Sequence, residues 1–168
     1  MNLYTDGSRK FIGKNYATVI GWAVVKDESV ITSGARFGGS NITAELIAIL
    51  TALEYCNKID DLKNCNIYTD SKTAMQIIDI NAKGYVDDTE NYDIAEKINN
   101  LMLDIKRKGI AVFINKVEAH CGVRSNEIAD RAAKKAVSDL LNSDLLKEWK
   151  YVYSDINYTV IVSAGSVI

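Results

Sequence analysis

Tyr4-Thr5-Asp6-Gly7 and Tyr68-Thr69-Asp70-Ser71 are nearly one tetrapeptide written twice, and reading them together decides the fold. Each closes a short run of apolar and β-favouring residues, 1–5 in the first case and 65–69 in the second, and each is followed by a small residue that can turn the chain. The pattern places Asp6 and Asp70 at the C-terminal ends of two strands. If those strands are neighbours, the two carboxylates lie about 5 Å apart, one strand spacing. Carboxylates that close resist ionising unless a divalent cation lies between them. Hard oxygen ligands suit Mg²⁺ or Mn²⁺ better than zinc. Thr-Asp-Gly alone is an ordinary turn sequence, so the weight falls on whether further carboxylates arrive on suitable elements.

The 168 residues are the length of one domain with a real core. Hydrophobic residues make up 48% and charged residues 25%, ordinary globular values that argue against a disordered or fibrous chain. No apolar run reaches the roughly 18 residues that span a bilayer, and residues 1–5 start a strand where a signal peptide would place a basic, then apolar, segment. Three cysteines (Cys56, Cys65, Cys121) show no CxxC spacing, so reduced thiols and a cytoplasmic location are expected. The net charge of −2 disfavours a non-specific nucleic-acid coat. Its distribution is uneven: residues 81–96 carry Lys83 against five acids, whereas residues 97–135 carry nine basic and four acidic residues. A basic face is compatible with an acidic total.

Along the chain, residues 7–15 read as a glycine-bearing connection. Residues 16–26 and 30–37 read as strands joined by a polar turn at Asp27-Glu28-Ser29, an antiparallel meander. Helices are expected at about 43–57, 71–82, 92–108 and 126–141, and a further strand at 110–117. The order βββαβααβα makes the sheet mixed, with three antiparallel strands and two parallel ones. Ligands of such sheets gather outside the carboxyl ends of the strands, where Asp6 and Asp70 already stand.

Three more residues join them. Glu45, in Thr43-Ala44-Glu45-Leu46, and Asp130, in Asn126-Glu127-Ile128-Ala129-Asp130, fall early in two helices, where the helix dipole alone would favour an acid. His120, the one histidine, sits in the loop Glu118-Ala119-His120-Cys121-Gly122. A nucleophilic pair with Cys121 is disfavoured, because adjacent residues point apart.

Taken together, Asp6, Glu45, Asp70, His120 and Asp130 resemble the type 1 ribonuclease H family over about residues 1–140. The resemblance rests on Tyr-Thr-Asp-Gly-Ser, Thr-Ala-Glu-Leu, Tyr-Thr-Asp-Ser and His-Cys-Gly-Val-Arg-Ser-Asn-Glu-Ile-Ala-Asp, the last being the most specific. It implies an RNase H-like α/β fold over residues 1–146, with 147–168 as a C-terminal extension outside the family pattern. It also implies an endonuclease that hydrolyses the RNA strand of RNA/DNA hybrids and leaves 5′-phosphate and 3′-hydroxyl ends. Asp6, Glu45, Asp70 and Asp130 would hold two Mg²⁺ ions, with Mn²⁺ as a substitute, about 3.5–4 Å apart. His120 would shuttle a proton or help release product. Gly7, Ser8, Ser40, Asn41, Ser71 and Lys72 would contact substrate.

The chain departs from many members of that family. The stretch 81–96 is short and acidic where a basic handle is common, and in this the chain resembles the handle-less members. Ile42 stands where Asn is common and Lys72 where Gln is common. Two other readings compete: the same fold acting on double-stranded RNA or structured DNA, and a non-catalytic nucleic-acid-binding module. Clustered acids argue against the last, since they cost stability unless used. The extension alternates Ile156, Tyr158, Val160 and Val162 on one face, so it is expected to pack on its own domain, with self-association as the alternative. No obligate protein partner and no membrane are expected.

Overall fold

Asp27 and Glu28 both adopt positive φ, 48° and 60°, the mirror-image turn that matches the twist of a two-stranded hairpin. They join β2 (Ala17–Lys26) to β3 (Ser29–Phe37) in the computed structural model, which describes residues 1–12, 17–85, 87, 89–119 and 121–143. β1 (Asn2–Ile12) pairs antiparallel with β2, from Tyr4 opposite Val25 to Ile12 opposite Ala17. On its other side β1 runs parallel to β4 (Asn64–Thr69), from Asn2 opposite Asn66 to Thr5 opposite Thr69. β5 (Ala111–Lys116) adds a second parallel pair, and the sheet order is β3-β2-β1-β4-β5. This is the mixed five-stranded sheet expected from the sequence.

One expectation is corrected. β1 does not end at Thr5, and residues 7–12 are strand, not a connection. The cause is pairing: Gly7 to Ile12 each find a partner on β2, from Trp22 back to Ala17. What ends near Thr5 is the pairing with β4, whose last ladder position is Thr69. Asp6 therefore stands where β1 outruns its parallel neighbour, level with Asp70.

Four helices among the described residues cover the sheet. α1 (Asn41–Asn57) opens with a capping box, in which the Ser40 hydroxyl accepts from the Thr43 amide at 3.0 Å and the Ser40 amide donates to the Thr43 hydroxyl at 3.0 Å. α2 (Lys72–Ala82) is capped by Ser71, and α3 (Glu90–Arg107) follows, with no helix in the described residues between them. Leu46, Ile49 and Leu53 of α1 and Ile98 and Ile105 of α3 close over Leu3 and Ile67 in the main core. Burying each such side chain contributes about 1.5–3 kcal/mol. Cys56 and Cys65 lie buried there as free thiols.

α4 (Arg124–Asn142) packs against β1, β2 and β3, seating Val137 and Leu140 on Val19 and Ala35. The approach is close: a Cβ on Gly21 would lie 2.5 Å from the Ala133 carbonyl oxygen. No helix among the described residues is long and apolar enough to cross a membrane. The extension 147–168 and His120 lie outside the described residues.

Candidate active site

Asp6 reaches the site from β1, Asp70 from the residue after β4, and Glu45 from the second turn of α1. One carboxylate oxygen from each lies within 4.8 Å of those of the other two. Asp6 and Glu45 are buried, at 6% and 4% exposure, and Asp70 is half-buried. Gly7 lets α1 come this near. A Cβ there would lie 2.5 Å from the Glu45 amide nitrogen and 2.7 Å from the Ala44 carbonyl carbon. The glycine expected to touch substrate thus has a packing task of its own.

The Gly7 amide steadies this charge, donating to Asp6 Oδ1 at 2.9 Å. Burial, followed by the charges of Asp70 and Asp130, pushes the Asp6 carboxyl from its ordinary 3.8 up to about 7. Burial, then Asp6 and Asp70, holds Glu45 well above the usual carboxylate range. Glu45 Oε2 is buried with no hydrogen-bond partner among the described residues. An orphaned acceptor oxygen, crowded acids and an all-oxygen donor set are what a hard divalent cation satisfies. These residues fit such an ion.

Asp130, on the second turn of α4, stands beside Asp6, close enough to hydrogen-bond with it when one of the two is protonated. Its oxygens fall outside the cluster formed by the other three acids. They rest instead on Lys134 Nζ, at 2.7 and 2.8 Å, one helical turn along. The sequence reading missed Lys134, although its i,i+4 spacing from Asp130 was the available signal.

The expected substrate contacts divide in two. The hydroxyls of Ser40 and Ser71 cap α1 and α2, Ser71 accepting from the Ala74 amide at 3.3 Å. Asn41 and Lys72, the first residues of those helices, are exposed, and Gly7 and Ser8 are half-buried on β1. The Thr43 hydroxyl donates to Asn91 at 2.8 Å and ties the start of α1 to α3. Beside it, Arg36 pairs with Glu90.

The crowded acids have a measurable consequence. Asp6 binds its proton more tightly in the folded chain than in the unfolded one. Its stabilising effect is therefore complete below about pH 3.8 and is lost as pH rises through about 7. With a chelator present, stability should fall between pH 5 and pH 8 by an amount on the order of a few kcal/mol. Mg²⁺ should flatten that slope. Chemical denaturation across this range checks it, and a metal-free stability that rises with pH would refute the clustering.

The comparisons with known proteins agree with this layout. The family model described as RNase H matches residues 1–138. Among solved structures, RNase H1 from the halophilic archaeon Halobacterium salinarum NRC-1 aligns with a TM-score of 0.54 at 19% identity, over 82% of this chain and 97% of that one. LC11-RNase H1 in complex with an RNA/DNA hybrid gives 0.51 at 18% identity, over 80% and 97%. A foamy viral protease-reverse transcriptase in complex with an RNA/DNA hybrid gives 0.61 at 18%, over 82% of this chain and 20% of that one. Likeness at such identities concerns the fold. No curated protein matches the chain significantly. The family model spans most of the sequence and every acid of the site, and on that ground the chain belongs to the RNase H family.

Proposed function

We propose that the chain is an endonuclease that hydrolyses the RNA strand of RNA/DNA hybrids with two divalent metal ions, leaving 5′-phosphate and 3′-hydroxyl ends. The observation that carries this reading is the convergence of Asp6, Glu45 and Asp70 within 4.8 Å, with one Glu45 oxygen buried and unpartnered. Mg²⁺, or Mn²⁺ in its place, supplies Lewis acidity and a bound water of lowered pKa. Asp6 is the central ligand, because it neighbours all three other acids. Glu45 and Asp70 complete the set on either side. Asp130 joins once Lys134 releases it, a small change for an i,i+4 pair whose lysine side chain is 60% exposed.

Glu45 stands at the start of α1, where a ribose 2′-hydroxyl would separate RNA from DNA. Asn41 and Lys72 are exposed at two helix N-termini, which favour phosphate. His120, ten residues before Asp130 in sequence, is assigned to proton transfer or product release. The resemblance of its motif supports that role. The free thiols and the absence of a membrane-spanning helix among the described residues are consistent with a cytoplasmic setting.

Cleavage of an end-labelled RNA/DNA hybrid in Mg²⁺, run beside double-stranded RNA, duplex DNA and the Asp70→Asn variant, tests the reading. The hybrid alone should be cut, in its RNA strand, and Asp70→Asn should lose that activity by about 10²-fold or more. Preferred cutting of another substrate would move the activity to that substrate, and full activity in Asp70→Asn would overturn the metal assignment.

A further inference from the structure

Past Asp6, β1 continues six residues to Ile12 with β2 alongside. Arg9, Lys10 and Phe11 are exposed on this extension, Phe11 at 56%. Neither cation has a carboxylate partner among the described residues. The Arg9 guanidinium lies instead over the Phe11 ring, 4.5 Å from its centre, a contact that restricts the side chain while leaving its charge free.

The strip borders the carboxylates. Phe11 pairs with Thr18, whose hydroxyl donates to the Gly39 carbonyl at 2.9 Å and whose carbonyl accepts from Gly38 at 2.8 Å. That glycine pair leads directly into Ser40 and the start of α1, which carries Glu45. Along the strand, Asp6 and Lys10 are about 13 Å apart. Three other cations are engaged, Lys134 with Asp130, Arg36 with Glu90 and Lys116 with Glu118, whereas Lys72 and Arg131 are exposed with no carboxylate partner among the described residues. Successive strand residues point to opposite faces, so Arg9 and Lys10 flank, from either face, the edge of β1 that lies past its last pair with β4 at Thr5.

We propose that Arg9 and Lys10, with Phe11 orienting Arg9, form a phosphate-gripping strip that holds the nucleic-acid backbone beyond the point of cleavage. This inference rests on the nuclease reading of the neighbouring acids. A polyanion drawn to a strongly acidic site needs cations outside the metal cluster, and this strip supplies two without a carboxylate partner among the described residues, Arg9 being oriented by the Phe11 ring. Each phosphate contact releases counterions and adds about 0.9 to the slope of log affinity against log salt.

The test is hybrid binding by fluorescence anisotropy from 50 to 200 mM salt in Mg²⁺, with Asp70→Asn present throughout to prevent cutting. Adding Arg9→Ala and Lys10→Ala should lower the salt slope by about two, so the affinity deficit shrinks roughly twelvefold over that range. Arg9→Lys should keep the slope, and Phe11→Ala should weaken binding severalfold while Phe11→Tyr restores it. Removing two exposed lysines near the N-terminal end of β4, Lys58→Ala with Lys63→Ala, should leave the slope unchanged. An unaltered slope in the Arg9 and Lys10 variant, or an equal drop in the Lys58 and Lys63 control, overturns the strip. Hybrid binding with the expected slope but no cutting by the unmodified chain would overturn the nuclease reading and leave the strip standing.

Discussion

Asp6→Asn should abolish hybrid cleavage and at the same time raise the melting temperature of the metal-free chain. The two effects have one origin. The substitution is nearly isosteric, and the Asn oxygen can still accept the 2.9 Å hydrogen bond from the Gly7 amide. What disappears is a buried negative charge facing Asp70, Asp130 and Glu45. Its removal relieves a penalty on the order of 1–3 kcal/mol, equivalent to about 2–10 °C for a chain of this size. The same charge is what a divalent ion would bind, so the stabilisation gained on adding Mg²⁺ should largely vanish. Cleavage should drop by roughly 10³-fold or more, because no neutral amide replaces a central anionic ligand. Melts with and without Mg²⁺, beside a single-turnover assay, decide the matter. A metal-free Asp6→Asn chain clearly less stable than wild type would show that the acids do not crowd one another.

Much of this site could be read from the chain, for identifiable reasons. The repeated tetrapeptide located both central aspartates, and the helix-spaced apolar residues of 43–57 and 126–141 located the elements bearing Glu45 and Asp130. The end of β1 could not be read in the same way. Arg9-Lys10-Phe11 has no alternation of polar and apolar residues, since its strand geometry comes from pairing with Ile20, Val19 and Thr18 and not from burial. From sequence alone, residues 7–15 therefore read as a connection. The depth of Glu45 was equally hidden. An acid early in a helix is commonly solvated, and only the contact between the Gly7 and Glu45 backbones draws this one down to 4% exposure. The engagement of Asp130 by Lys134 depends on which rotamers meet across one turn. His120 and the alternating segment 156–162 were singled out from sequence and lie outside the described residues.

That backbone contact leads to the other large effect, expected from Gly7→Ala. The methyl group would fall 2.5 Å from the Glu45 nitrogen, 2.7 Å from the Ala44 carbonyl carbon and 2.9 Å from the Ala44 Cβ. None of these atoms is the end of a flexible side chain, so relief requires α1 to move away from β1 by close to 1 Å. α1 carries Leu46, Ile49 and Leu53 into the main core, and displacing it should cost about 1–3 kcal/mol. The same shift carries Glu45 away from Asp6 and Asp70. A misplacement of about 1 Å in a metal-and-substrate cradle is worth roughly 10²-fold in rate, so cleavage should fall by about that factor and the stabilisation by Mg²⁺ should weaken with it. Lost stability alone cannot account for the pair of effects, and Gly109→Ala separates them. Gly109 has φ of +81° with nothing within 4 Å of an added Cβ, and it lies just before β5. A side chain there strains the backbone by about 1 kcal/mol without touching α1. Gly109→Ala should lower the melting temperature while keeping both cleavage and the Mg²⁺ response. If Gly7→Ala proves no worse than Gly109→Ala in either readout, then the close approach of α1 to β1 is not what sets the carboxylates in place.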